Sequence, residues 1–288
     1  MKLNANFFSD WVEILKGILS NDLGYNITNI PDDEIPFVYF NTEQRLVENR
    51  PREIHLSDHF SCPSELERGW EILKNKIESG QDIKPHLSKL ALKPTNKDSL
   101  LNDWRVHHFH LGEELQGDFT KRTGPLLFAI VADNDFYAIN IFCHGKWADD
   151  AIVEIIHKNW PDIISNYKIQ NSTELSHQET PQERLDLRKN QINSFFECSD
   201  GTIYAPMGGG SATSGYNVEN TLRMINQKKI LKHLQDFLEN ELPNLRSELE
   251  GKGCEGEEIL EAKLLITENC YKALFPKYNF SVILNKRA

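Results

Sequence analysis

Apolar residues recur at helical spacing in two early segments of the chain. In 9–20 and in 61–76 they fall every three or four positions, which predicts two amphipathic helices, the second of which ends at Gly80. Two shorter segments lie between these helices. The apolar run 37–40 and the segment 51–57 have the length and composition of strands, and both are predicted to be strands.

Three strands are predicted in the middle of the chain, where the pattern changes from helical to extended. They are Asp103–Leu111, Leu126–Val131 and Phe136–His144, and residues 133–135 between the last two predict a hairpin turn. The second strand is apolar throughout, which is typical of a strand covered on both faces. Consecutive strands joined in this way predict an antiparallel β-meander, and the helices that flank it predict an α+β fold.

A polar segment divides the chain. Residues 171–182 hold almost no apolar side chains and are predicted to form a linker. The residues before it, 1–170, are predicted to form an α+β domain with an N-terminal helical extension. The residues after it, 183–288, predict a smaller α+β module. That module contains a long amphipathic helix near 218–241, which Pro243 is expected to end.

The composition restricts the classes of function. The 288 residues carry a net charge of −11, which disfavours tight non-specific binding of nucleic acid by the whole surface. No apolar run is long enough to span a membrane, and no secretory signal is recognised, so a cytoplasmic protein is expected. The five cysteines are scattered without the paired spacing of a zinc site, and no metal or other cofactor is expected.

Seven of the ten histidines lie within residues 41–148. His107, His108 and His110 fall in the first strand of the predicted meander, and His144 ends the third. Because alternate residues of a strand share a face, His108 and His110 are expected together and His107 opposite them. The same rule leaves open which face of the first strand His144 meets. It places His144 on one face of its own strand with Phe136, Ala138 and Phe142.

This group of histidines suits acid–base chemistry on RNA. Attack by the ribose 2′-oxygen needs a proton acceptor and a proton donor, and histidine serves as either because its ordinary pKa is about 6.5. Arg122, on the connection before the second strand, is a candidate cation for the phosphate. Two other interpretations stay open. His108, His110 and His144 could ligate zinc, or the histidines could be structural.

Five segments between about residue 50 and residue 148 form one pattern of elements. The pattern is a helix pair, a strand with Trp-Arg-Val, an apolar strand with Leu-Leu-Phe-Ala and a strand that ends in His-Gly. The segments are Gly69–Gly80, Leu87–Leu90, Asp103–His108, Gly124–Val131 and Phe136–His144. Together they resemble the RelE/ParE/HigB-like toxin superfamily, and the resemblance implies two helices followed by an antiparallel meander.

The resemblance also implies an activity and partners. Members similar to RelE are endoribonucleases that act on messenger RNA at the ribosome, whereas relatives similar to ParE act on gyrase. RNA, in association with the ribosome, and an antitoxin or regulatory protein are the implied partners. Matching by strand position implies catalytic roles for Arg122, Tyr137 and His144. The histidines of the first strand are additional catalytic candidates, namely His107, His108 and His110.

A glycine-rich segment, Met207–Gly215, precedes the long helix. It lacks the sequence of a Walker A loop and the glycine spacing of a dinucleotide-binding loop. One interpretation is a flexible connection in which Ser214 or Asn217 caps the helix. The other is an anion site for a nucleotide or a phosphate, in which case alanine at Gly209 and Gly210 is expected to weaken binding without changing stability.

The leading hypothesis is a ribonuclease-type toxin or defence effector that cleaves RNA by metal-independent general acid–base chemistry. Two alternatives stay open. One is a non-enzymatic protein-interaction module on the same fold. The other is a metal-dependent hydrolase that uses His108, His110 and His144 as ligands.

Overall fold

The computed structural model describes residues 2–171, 174–254 and 258–286. Its helices and several small sheets confirm the general α+β class. The helices are α1 (Phe7–Gly17), α2 (Ile35–Arg45), α3 (Glu67–Ser79), α4 (Ser99–Trp104), α5 (Ala151–Asn159), α6 (Pro181–Lys189) and α7 (Val218–Glu250). The strands are β1 (Lys2–Asn4), β2 (Glu53–Leu56), β3 (His107–Phe109), β4 (Leu115–Gln116), β5 (Phe119–Thr120), β6 (Pro125–Val131), β7 (Asp135–Cys143), β8 (Phe196–Glu197), β9 (Ile203–Tyr204), β10 (Ile259–Glu261), β11 (Lys263–Ile266), β12 (Cys270–Phe275) and β13 (Phe280–Lys286).

The chain folds as two compact units, and these differ from the predicted domains. One unit combines residues 1–39 with residues 222–288, and the other holds residues 40–221. The segment 171–182 was predicted to be the linker; residues 172–173 lie outside the described residues, and the described remainder lies within the second unit. The physical reason is a pairing that sequence patterns do not reveal. β1 pairs in parallel with β10, so the two ends of the chain belong to one unit.

The unit formed by the chain ends contains a three-stranded antiparallel sheet of β11, β12 and β13. α1 begins after Asn6, whose side-chain oxygen accepts a hydrogen bond from Ser9 N at 3.0 Å. Asp10 of α1 accepts a second hydrogen bond, from Leu264 N of β11 at 2.8 Å, which joins the helix to the sheet. Within the described ranges, no helix combines the length and the apolar character needed to cross a membrane.

The candidate site lies on the four-stranded sheet of the other unit, with strand order β2-β7-β6-β3. β3, β6 and β7 are antiparallel neighbours, while β2 runs parallel to β7. Leu126, Phe128 and Ile130 of β6 belong to a buried cluster with α5 on one side, here named the α5 face. Leu127 and Ala129 belong to a cluster with α3 on the other side, named the α3 face. This double burial explains why β6 is apolar throughout.

A β-bulge in β7 changes the face on which the end of the strand lies. Ile139 is the extra residue, because it falls between two consecutive paired positions of β7. Before the bulge, Phe136 and Ala138 pack on the α3 face, whereas Phe142 after it packs on the α5 face. The prediction that all three share a face with His144 is therefore wrong.

Two predicted strands are wholly or partly helical. The run 37–40 lies inside α2, since a short apolar run fits a buried helical turn as well as a strand. The predicted strand 103–111 begins with the end of α4, and only His107–Phe109 forms β3. Asp98 caps α4 through Leu100 N and Leu101 N, and α4 ends at Arg105 in the left-handed conformation, with φ 59°.

Candidate active site

Four of the six predicted catalytic residues line one cleft of about 290 Å³ in residues 40–221. They come from the end of β3, the connection before β6 and the turn after β7. The carboxylate of Asp98 and the indole of Trp147 lie beside them. The four residues are His108, His110, Arg122 and His144.

The bulge accounts for the meeting of His144 with His108. His108 pairs with Phe128, a residue of the α5 face, and so lies on that face. His144 follows β7 beyond the bulge, where the strand has changed face. Both imidazoles contact Trp147, with ring centroids 4.8 Å apart for His108 and 5.1 Å apart for His144. The structure thus answers which face of the first strand His144 meets: the face of His108 and His110.

Hydrogen bonds fix both the backbone and the ring of His110. His110 N donates to the carbonyl oxygen of His86 at 2.7 Å, and His86 Nδ1 donates to the carbonyl oxygen of His110 at 2.8 Å. Thr123 N donates to His110 Nδ1 at 3.3 Å. Because Nδ1 accepts this hydrogen bond, the proton of the neutral ring resides on Nε2. His110 is therefore a candidate hydrogen-bond donor to a substrate.

Burial keeps the two inner histidines of the cleft neutral. It lowers the pKa of His110 to about 4, and the positive charge of Arg122 acts in the same direction. Burial also lowers the pKa of His108, against the attraction of Asp98. Near pH 7 both rings are therefore uncharged. A neutral imidazole of this kind can accept a proton, which suits a general base.

Asp98 caps the first turn of α4 and lies near the ring of His108. One oxygen of its carboxylate accepts the hydrogen bonds of Leu100 N and Leu101 N, each at 3.1 Å. The other oxygen, Oδ2, lies 3.9 Å from His108 Nδ1. Among the described residues, this buried nitrogen has no hydrogen-bond partner. At 3.9 Å the carboxylate makes no hydrogen bond to the ring and acts on His108 through its negative charge.

Arg122 and His144 are the exposed members of the cleft, and backbone contacts hold the segments that carry them. His144 N donates to the carbonyl oxygen of Gly124 at 3.1 Å. Thr123, next to Arg122, accepts a hydrogen bond from Leu111 N at 3.2 Å through its hydroxyl oxygen. The two loops are therefore tied to the ends of β6 and β3, while their charged side chains reach solvent.

The opposite wall of the cleft comes from residues 88–98, which a buried arginine holds in position. Arg45 of α2 donates hydrogen bonds to the carbonyl oxygens of Leu90 at 3.1 Å and Lys93 at 3.0 Å. Asn41, one turn earlier, donates to Asn96 O at 2.8 Å. Arg45 is thus a positioning residue. The apolar run 37–40, which predicted a strand, gave no indication that Arg45 ends a helix and faces this wall.

The other two predicted catalytic residues, His107 and Tyr137, lie outside the cleft. His107 donates through Nε2 to Gln44 O at 3.2 Å, and burial lowers its pKa to about 4. Tyr137 stacks on His55 with ring centroids 4.9 Å apart. It also contacts Trp160 at 5.1 Å, and burial raises its pKa. Neither side chain is part of the cleft lining in these positions.

The three histidines of the predicted zinc site do not form a close set of donors. Within the described ranges, one group of three or more histidine, cysteine or carboxylate side chains has its donor atoms close enough to share an ion. That group is Glu53, His55 and Asp135, at the other end of β7. Zinc ligation by His108, His110 and His144 therefore has no geometric support.

The N–H groups of the glycine-rich segment donate hydrogen bonds to other parts of the protein. Gly208 N donates to Asp103 O and Gly210 N donates to Asn102 O, each at 2.9 Å, at the end of α4. Asn217 caps α7, because its side-chain oxygen accepts a hydrogen bond from Asn220 N at 3.2 Å. The segment is thus a packed connection, and of the two predicted caps Asn217 is the one observed.

The expected effect of alanine in this segment changes accordingly. Gly209 and Gly210 have φ values of 89° and 74°, a region that alanine rarely adopts. A Cβ atom on Gly210 would lie 2.5 Å from the side-chain oxygen of Asn193. Alanine at either glycine is therefore expected to destabilise the fold, which contradicts the expectation of unchanged stability.

In comparisons with known proteins, no family model, no curated protein and no solved structure matches this chain.

Proposed function

We propose that this chain is an endoribonuclease, a toxin or defence effector that cleaves RNA by acid–base chemistry without a metal ion in the reaction. One observation carries the proposal: His108, His110, Arg122 and His144 meet in a single cleft although they come from three separate segments. A buried neutral base, a neutral donor, a cation and an exposed histidine together supply the groups that phosphodiester cleavage requires.

Each residue has a distinct task in the proposed reaction. The neutral imidazole of His108 accepts the proton of the ribose 2′-hydroxyl while the 2′-oxygen attacks phosphorus. His144 donates a proton to the departing 5′-oxygen. Arg122 and the Nε2–H of His110 donate hydrogen bonds to the non-bridging phosphate oxygens, whose negative charge increases in the transition state. The products are a 2′,3′-cyclic phosphate and a 5′-hydroxyl.

Trp147 favours single-stranded RNA as the substrate. Its indole is partly exposed and lies against both His108 and His144, where a nucleobase beside the scissile phosphate could stack on it. Stacking of bases on aromatic side chains is the main means by which proteins hold unpaired strands without reading their sequence. A base inside a duplex is not available for such a contact.

The toxin assignment, a RelE-like sheet, association with the ribosome and an antitoxin or regulatory partner belong to the same proposal. They rest on the resemblance of residues 50–148. The antiparallel order of β3, β6 and β7, with α3 before them, supports this part of the proposal. The acid–base chemistry stands on the cleft alone and does not depend on it.

The test is cleavage of a single-stranded RNA oligonucleotide by the purified chain in the presence of EDTA. The wild type is expected to cut the RNA. His108→Ala and His144→Ala are each expected to reduce the rate by about 10²- to 10⁴-fold, because each removes one proton-transfer group. His59→Ala is the matched control, since His59 is an exposed histidine that does not line the cleft.

Three results would contradict the proposal. The first is RNA that stays intact with the wild type. The second is cleavage that stops when EDTA is added. The third is full activity in both cleft variants. Unfolding temperatures of all variants, measured in parallel, separate a loss of chemistry from a loss of fold.

A further inference from the structure

A second group of chemically active side chains lies at the β2 edge of the same sheet. β2 and β7 run in parallel there, with Glu53 opposite Asp135 and His55 opposite Tyr137. Glu53 and His55 are two residues apart on β2, so their side chains share a face. The register of two strands therefore brings one imidazole and two carboxylates together.

We propose that Glu53, His55 and Asp135 form a binding site for one divalent transition-metal ion, with Zn²⁺ as its preferred type. Each residue offers one donor atom, and the three atoms lie within 4.8 Å of one another. An open zinc site usually has three protein ligands, and water occupies its fourth coordination position.

The distance between the His55 and Asp135 donor atoms is close to the one that a metal ion imposes. His55 Nε2 and Asp135 Oδ1 lie 2.7 Å apart, as a hydrogen-bonded pair. Ligand atoms bound to zinc at about 2.1 Å with tetrahedral angles lie about 3.4 Å apart. The two side chains therefore need to separate by less than 1 Å. Both are partly exposed, with side-chain exposures of 32% and 36%, so their rotamers can adjust.

The orientation of the imidazole is already restricted. Tyr137 stacks on His55 with an interplanar angle of 20°, and Tyr137 in turn contacts Trp160. A ring held in this way loses little rotational freedom when its nitrogen binds an ion, which favours affinity. The neighbouring pair of His59 and Asp58 lacks these features. Its Nε2 and Oδ1 atoms are 3.7 Å apart, and His59 is more exposed, at 55%.

The ligand types select the class of ion. An imidazole nitrogen suits Zn²⁺ and other first-row transition metals, while a site for Mg²⁺ or Ca²⁺ consists of oxygen atoms alone. Two carboxylates supply two negative charges to balance a divalent cation. The site is separate from the cleft, because Asp135 begins β7 and His144 follows its end, about 30 Å away along an extended strand.

The experiment is titration of the purified full chain, stripped of metal, with ZnCl₂ by isothermal titration calorimetry, with MgCl₂ as the comparison ion. The wild type is expected to bind Zn²⁺ at a site that Glu53→Gln and His55→Ala each weaken at least about tenfold, because each removes a ligand. His59→Ala is expected to bind as the wild type does. Glu53 is exposed, so Glu53→Gln is expected to fold even where His55→Ala does not.

The variants also separate a metal site from a simple hydrogen-bonded pair. Glu53→Gln keeps the contact between His55 and Asp135 and removes only the third ligand. If Zn²⁺ binds to Glu53→Gln as tightly as to the wild type, the three-ligand site is refuted. Absence of Zn²⁺ binding by the wild type, or equal binding of Mg²⁺, would also overturn the proposal.

Discussion

Two histidines, one near each end of β7, lie in different electrostatic surroundings. Near the cleft end, His108 of β3 is buried, which lowers its pKa; the carboxylate of Asp98 opposes this effect and the charge of Arg122 adds to it. Near the other end, His55 of β2 is partly exposed and lies close to the carboxylates of Glu53 and Asp135. The same residue type therefore occurs in two environments on one sheet. We infer proton transfer for one and metal ligation for the other, because chemistry follows the surroundings and not the residue type.

A glycine variant is expected to affect one of the two sites and not the other. A Cβ atom on Gly112 would lie 2.1 Å from the backbone oxygen of Lys121, so Gly112→Ala must displace the segment that carries Arg122. A displacement near 1 Å in an active site lowers the rate by about 10²-fold. RNA cleavage is expected to fall to that extent, while Zn²⁺ binding at the β2 edge is expected to stay unchanged in calorimetry.

Gly124→Ala is the matched control for this prediction. Gly124 lies on the same connection, yet a Cβ atom there would have no heavy atom within 4 Å. Its activity is expected to match that of the wild type. Equal losses in the two variants would contradict the assignment of the Lys121–Thr123 segment to the active site, and so would a parallel loss of Zn²⁺ binding in Gly112→Ala.

A second prediction concerns the dependence of stability on pH, which arises from buried histidines in and beside the cleft. Burial lowers the pKa of His86, His107 and His110 to about 4 in the folded protein, whereas the unfolded chain takes up these protons at a pKa of about 6.5. The unfolded state therefore binds more protons between these values. The free energy of unfolding is therefore expected to fall as the pH decreases from about 6.5 towards 4. Below that range these three groups cause no further change.

Each of these histidines is expected to lower the free energy of unfolding by about 2 kcal/mol when the pH decreases from 7 to 5. Urea unfolding curves at the two pH values measure the loss directly. His107→Gln, which removes one titrating ring, is expected to reduce the difference between the two free energies of unfolding. A free energy that does not depend on pH in this range would show that the three rings are not buried in neutral form.

Local sequence patterns predicted the elements that are specified by residues close together in the chain. The hairpin of β6 and β7 followed from an apolar run, a polar turn and a second apolar run. α3 and its end at Gly80, with φ 71°, followed from helical spacing and a glycine stop. These elements place His144, which ends the hairpin, but they do not decide which face of the sheet it reaches.

The remaining features depend on contacts between distant residues. Ser57 donates to the carbonyl oxygen of the bulge residue Ile139 at 2.6 Å, a contact across 82 positions that no local pattern indicates. α7 continues through Pro243, where it was expected to end, because Leu242 and Leu249 are buried on that part of the helix. The bulge determines the face of the sheet on which His144 lies, and therefore whether it reaches the cleft. Strict alternation could not identify the face on which His144 meets His108.

A chimeric oligonucleotide tests whether the cleft activates a ribose 2′-oxygen. The substrate is single-stranded DNA with one ribonucleotide, incubated with the purified chain in EDTA and analysed by mass spectrometry. We expect one cut, on the 3′ side of the ribonucleotide, with a 2′,3′-cyclic phosphate and a 5′-hydroxyl as the new ends. We also expect His108→Ala to leave the oligonucleotide intact over the same period. Cleavage of the all-DNA control, or ends that carry a 5′-phosphate and a 3′-hydroxyl, would contradict activation of the 2′-oxygen.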